Sequence, residues 1–213
     1  FNFFQKASLK ESSFNQNSNL SNESFISLIK DNDLDLVKKF IDNGVDINAK
    51  ETDTGLTPLH VAVMYNNEEI AKIIIKNGAD IDPKDKRGIA PLRYAVNDNN
   101  IEMVKYLINH GANVNARDFR GHTSLKAASQ LGFLSIVELL LKNNADVNIQ
   151  TSDNRTPIFE AVENKHFEVV KLLILNGAYV NVEDKKGDTP LSLAIKSNQS
   201  KMINFLKSKG ALE

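Results

Sequence analysis

The feature that most constrains this chain is a spacing of 33 residues. Thr57, Ala90, Thr123, Thr156 and Thr189 fall 33 apart, and Gly78, Gly111, Asn144, Gly177 and Gly210 keep the same interval. So does an apolar position, at Ile75, Ile108, Leu141 and Ile174. Self-similarity at one fixed period in this range marks an array in which a supersecondary unit stacks on copies of itself. A chain of 213 residues built this way grows by adding units, so its length says little about domain number.

Each internal unit reads as helix, tight turn, helix, loop. Thr57-Pro58, Thr156-Pro157 and Thr189-Pro190 are helix starts: the threonine oxygen caps free N–H groups, and proline at the first helical position has no N–H to leave unpaired. The first helix stops near Asn66 and Asn67. A second begins with acids in its first turn (Glu68 and Glu69, Glu102, Glu168), favourable against the positive end of the helix dipole. It continues on apolar residues at helical spacing, such as Ile70, Ile73 and Ile74, and ends where glycine or asparagine takes a left-handed turn. A short extended stretch and a polar turn such as Asp85–Gly88 lead to the next copy. Two such helices alone bury too little to offset chain entropy, so stability belongs to the stack.

The ends differ. Glu23–Asn48 is a degenerate copy that keeps Phe25, Leu28, Ile29, Leu36, Val37, Phe40 and Ile41 but adds charge, as an N-terminal cap requires. In the last copy Lys207 stands where four units carry isoleucine or leucine, which reads as a C-terminal cap, with a longer array as the alternative. Residues 1–22 are polar and rich in serine and asparagine, and are expected to be a disordered leader or linker. The opening Phe1-Asn2-Phe3-Phe4, without methionine, reads as a fragment or a processed product.

Composition removes several functions. Lys+Arg 26 against Asp+Glu 27 gives no bulk attraction for nucleic acid or anionic lipid. With no cysteine there are no disulfides or thiolate metal sites; this suits the cytoplasm or nucleus. No apolar run approaches the roughly 20 residues that cross a bilayer, so no membrane insertion is expected. His60, His110, His122 and His166 never pair at metal-binding spacing, and neither a phosphate-binding loop nor a nucleophile elbow is present. No catalytic residue, metal, cofactor or small-molecule substrate is expected.

The period, Thr-Pro-Leu-His-x-Ala at Thr57–Ala62, and Gly-Ala-Asp-Ile-Asp at Gly78–Asp82 together resemble the ankyrin repeat. The resemblance covers residues 23–213 as six units: 23–56, 57–89, 90–122, 123–155, 156–188 and 189–213. It implies an all-α solenoid with a short β-hairpin projecting from each unit, and a role as a monomeric protein-binding scaffold without catalysis. The motif histidine survives only at His60; Arg93, Lys126, Phe159 and Ser192 take its place.

By the resemblance, a partner is read from residues that differ between units at the hairpin tips and along the first helices. These are Met64, Tyr65, Lys86, Arg87, Arg93, Asn97, Arg117, Phe119, Arg120, Lys126 and Phe159. Tyr65, Arg87, Arg93, Phe119 and Arg120 are the expected anchors, since tyrosine and arginine dominate interface energetics. Lys86 and Arg117 would steer acidic groups, and Phe159 has a second reading as packing in the histidine slot. The expected partner is an acidic or mixed-charge segment of another protein, in scaffolding or inhibition. The heavy use of Asn, Lys and Ile points to an AT-rich genome, and with it to a pathogen protein delivered into a host cell. The alternative is the targeting or regulatory arm of a larger enzyme, toxin or channel.

Overall fold

Proline and threonine fix where each unit begins. In the computed structural model, which describes residues 21–212, twelve helices follow one another in pairs. They are α1 (Asn22–Lys30) and α2 (Leu34–Asp42), α3 (Pro58–Met64) and α4 (Glu68–Lys76), α5 (Pro91–Asn97) and α6 (Ile101–Asn109). The second half holds α7 (Ser124–Leu131) and α8 (Leu134–Lys142), α9 (Pro157–Glu163) and α10 (Phe167–Leu175), α11 (Pro190–Lys196) and α12 (Ser200–Ser208). The leader expected over 1–22 lies outside the described residues except for Ser21, which caps α1 through the Ser24 N–H, and Asn22, which opens it.

The odd-numbered helices pack in one row, each against the next, and each even-numbered helix packs on its own partner. The inner first-row helices are short, and two are almost wholly enclosed: α3 buries Pro58 through Val63, and α9 buries Pro157 through Val162. Second-row helices bury one stripe at helical spacing, Ile70, Ala71 and Ile74 in α4, repeated as Met103, Val104 and Leu107 and then as Ile136, Val137 and Leu140. At ~1.5–3 kcal/mol for each large side chain fully buried, three such residues per unit stabilise the stack only when a neighbour covers them.

The second helices end alike. Gly78 N–H donates to Ile75 O and Ala79 N–H to Ile74 O, and the pattern returns at Gly111, Asn144, Gly177 and Gly210. Asn144 adopts φ 63 there, the left-handed region that asparagine tolerates better than most residues. The hairpins are tight turns, and no strand is formed among the described residues. In the turn after α4 the Asp85 N–H donates to Ile89 O (3.1 Å) and Gly88 N–H to Asp85 O (2.9 Å). One backbone bond then joins each turn to the previous one: Lys86 N–H to Thr54 O, Phe119 N–H to Arg87 O, Ser152 N–H to Arg120 O and Lys185 N–H to Asp153 O. These turns form a row of fingers beside the first-helix row.

At the last unit Lys207 is exposed. Ile195 is 43% exposed, whereas Val63, Val96 and Val162 at the equivalent place are buried by the following unit.

Candidate interaction surface

The base of three fingers is built by one aspartate each. The Asp85 carboxylate accepts the N–H groups of Arg87 and Ile89, both at 2.8 Å. Asp118 does the same for Arg120 and His122, and Asp184 for Lys186 and Asp188. In the fourth unit Thr151 substitutes with a single weaker bond to Arg155 N–H (3.2 Å). An aspartate anchoring two turn amides holds the tip residues in fixed positions.

A second ladder ties finger to finger. Lys50 Nζ donates to Lys84 O (2.9 Å), Lys84 Nζ to Arg117 O (3.4 Å) and an Arg117 guanidinium N–H to Gln150 O (2.8 Å). Arg117 is therefore on the surface but tethered to the next finger. Lys86, Arg87 and Arg120 are the exposed cations at the tips of these fingers. Phe119, 76% exposed, rests its ring on Gly88. A Cβ at Gly88 would lie 2.8 Å from the Phe119 ring and 2.9 Å from its backbone nitrogen, and φ there is +79, so only glycine suits this position.

Arg87 is held in place. Its Nε donates to Asp85 Oδ2 (3.3 Å) and another N–H to the Tyr94 hydroxyl (2.6 Å), which itself donates to Asp85 Oδ2 (2.8 Å). Burial alone would raise the Asp85 carboxyl. The bonds from Ile89 N–H, Tyr94 O–H and Arg87 N–H, with the Arg87 charge, more than offset it and hold the group below the ordinary carboxylate range. Burial, and then the bond to Asp85, raise the Tyr94 hydroxyl. The Arg87 side chain remains 68% exposed. On the first-helix face, Met64 and Asn97 are exposed at equivalent positions of successive units, and Tyr65 is 50% exposed beside Met64.

Three expected contact residues sit elsewhere. Phe159 is fully buried and takes the histidine slot as packing, with the Arg155 guanidinium 5.4 Å from its ring centre. Lys126 is buried against Glu160 (3.2 Å), which also meets Arg155 (3.5 Å). Arg93 is partly buried, donates to Thr123 O (3.2 Å), and has its basicity lowered by burial. Phe159 and Lys126 are enclosed by the array, and Arg93 keeps only part of its surface: the slot faces the finger base. His60 shows why. It is fully buried, accepts from Thr57 N–H at Nδ1 and bonds Ile89 O through Nε2, and burial lowers its pKa from the ordinary histidine value. Tyr94, Asp85 and Leu56 are the residues that sequence reasoning missed. The recurrence of aspartate at 85, 118 and 184 was the available signal.

A family model described as ankyrin repeats (3 copies) matches residues 24–118, 79–151 and 124–212. The chain belongs to the ankyrin repeat family. Among similar proteins are the human 2-5A-dependent ribonuclease, 34% identical over 67 residues (32% of this chain, 9% of that protein), and an ankyrin repeat-containing protein, P1E11.10, of Schizosaccharomyces pombe, 38% identical over 58 residues (27% and 28%). A third is the serine/threonine-protein kinase 12 of Arabidopsis thaliana, 34% identical over 61 residues (29% and 13%). Each match covers under a third of the relative's own length. Ankyrin repeats are in general protein-interaction modules. Among the described residues no group of three acidic, histidine or cysteine side chains is placed to hold a metal ion, and no helix is long and apolar enough to cross a membrane.

Proposed function

We propose that this ankyrin array is a non-catalytic, monomeric protein-binding module, a scaffold or inhibitor working in the cytoplasm or nucleus. Its finger tips and first-helix face grip an acidic or mixed-charge segment of another protein. One observation carries the reading: Met64, Tyr65 and Phe119 are exposed on the same two units that present Lys86, Arg87 and Arg120, on fingers fixed by Asp85 and Asp118. Exposed aromatics and arginines on a rigid support are what an interface anchor requires, because little ordering entropy is lost on binding. Arg93, Lys126 and Phe159 support this surface from beneath, and Asn97 and the tethered Arg117 border it.

The test is affinity capture with the wild type beside the Arg87→Glu/Arg120→Glu double variant. Capture of a shared set of proteins should fall in the variant and in each single variant; Arg120→Glu, at an exposed tip, should change stability by under about 1 kcal/mol, and Arg87→Glu by more, because it sets a second carboxylate beside the buried Asp85. Undiminished capture would remove these tips from the surface. A second reading is favoured by the short coverage of the ribonuclease and the kinase: the array is the targeting or regulatory arm of a larger protein. Sequencing the gene on both sides of Phe1 and Glu213 decides it, and stop and start codons adjoining the array would refute it.

A further inference from the structure

Between the first two fingers and the first-helix face lies a groove of about 340 Å³. Leu56, Met64 and Tyr94 give it an apolar lining, and Asp53, Lys86 and Arg87 form its charged rim. It has room for one or two side chains, at the small end of ligand sites. Arg87 enters it already oriented: Asp85 and Tyr94 engage two of its N–H groups, and a guanidinium has five. Three donors remain for a ligand in the fork geometry that suits a carboxylate.

Resting on the protein-binding reading above, we infer that this groove takes a peptide in which a carboxylate side chain neighbours a large apolar one. The carboxylate pairs with Arg87, and the apolar group lies on Met64 and Tyr94. Lys86 and Arg87 are balanced by Asp53 and Asp85 within the groove, so an anion is held by the free Arg87 donors rather than by net charge; a singly charged carboxylate asks less of them, beside Asp53, than a phosphate, nearly doubly charged at neutral pH. Tyr94 acts as a positioning residue, because its hydroxyl links Arg87 to Asp85 while its ring stays in the apolar lining.

The probe is a phage-displayed random-peptide library selected on the full chain, with each variant's melting curve recorded alongside. Selected peptides should place Asp or Glu beside Phe, Tyr, Trp or Leu. Arg87→Glu, and Met64→Arg which fills the groove, should each weaken the best peptide at least about tenfold; Lys185→Glu, on a distant finger, should not. Tyr94→Phe should keep apolar binding but lose most of the preference for a glutamate peptide over its glutamine analogue, an effect that loss of packing would not produce. A phosphoserine analogue that binds tighter than the glutamate peptide overturns the single-charge argument. Peptides indifferent to Arg87→Glu and Met64→Arg, or no enrichment at all, overturn the groove. Protein capture that still depends on Arg120 would then leave the broader reading standing.

Discussion

Asp82 breaks a pattern that its neighbours share, and the break can be tested. At the equivalent place the next three units carry Asn115, Asn148 and Asn181. Each accepts a backbone N–H of the following unit through Oδ1, at 2.8, 3.0 and 2.9 Å. Each also donates through Nδ2 to a carbonyl at the end of the next second helix, at 3.1, 2.9 and 2.9 Å. Asp82 keeps the first bond, from Asn113 N–H at 2.8 Å, but its Oδ1 is buried without a partner. The register sets that oxygen toward the Gly111 carbonyl, acceptor against acceptor. Burial raises the Asp82 carboxyl above its ordinary 3.8, outweighing the Asn113 bond. Asp82→Asn should restore the donor. A recovered hydrogen bond contributes about 0.5–1.5 kcal/mol and relief of a buried unpaired acceptor about 1–3; the two overlap, and Asp82 is only half-buried. We expect a gain of about 1–2 kcal/mol at pH 7, or roughly 2–8 °C in melting temperature for a chain of this size. The pH dependence checks the cause. A raised folded pKa means the contribution of Asp82 is fully present below 3.8, where Oδ1–H can donate as asparagine does, and is lost as pH rises through the raised value. The advantage of the variant should therefore be full at neutral pH and shrink toward acid. Urea midpoints for both proteins across this range measure it. No gain at pH 7, or a gain independent of pH, refutes the reasoning.

Two further predictions concern other joints. Glu160→Ala leaves the buried Lys126 charge without its carboxylate, while the partly buried Arg155 keeps Glu163 (2.8 Å), so urea unfolding should show a loss of about 3 kcal/mol, and the Lys126→Met/Glu160→Leu pair should recover most of it. Gly132→Ala puts a Cβ 2.5 Å from the His166 ring at φ +74 and displaces the ring from Gln130 O (3.0 Å). Gly78→Ala meets nothing within 4 Å at φ +88, so the first change should cost about 1 kcal/mol more than the second, the difference being the lost hydrogen bond.

What the sequence made legible is what recurs. The unit boundaries, the starts of the helices and the glycine or asparagine turns follow from single residue types at fixed places, because local sterics and capping act there without reference to neighbours. Even so, Thr156 keeps the capping letter without the bond: its hydroxyl is buried and unpaired, while Thr57, Thr123 and Thr189 all cap. The fingers were legible as polar turns but not as a tethered row. The Lys50, Lys84 and Arg117 ladder depends on the distance between units, and no single unit encodes that.

Failure to recur has two causes that a sequence does not separate, and the histidine slot distinguishes them. The slot faces the finger base, so its occupants must find a partner or pack there. His60 reaches Ile89 O, Arg93 reaches Thr123 O, Lys126 takes a carboxylate from the next unit, and Phe159 packs under Arg155. Those are four chemical answers to one structural demand, and their diversity reflects local packing. Met64 and Tyr65 lie one turn further along the same helix, past the finger base and open to solvent, where no backbone group requires them. Variation inside the slot is constrained by burial, since a buried cation needs its partner; variation at Met64 and Tyr65 has no such constraint, whereas Arg87 is tied to the buried Asp85 and Phe119 rests on Gly88. A substitution series therefore separates the two sets: changes in the slot should move stability first, and changes at the open positions should move binding alone.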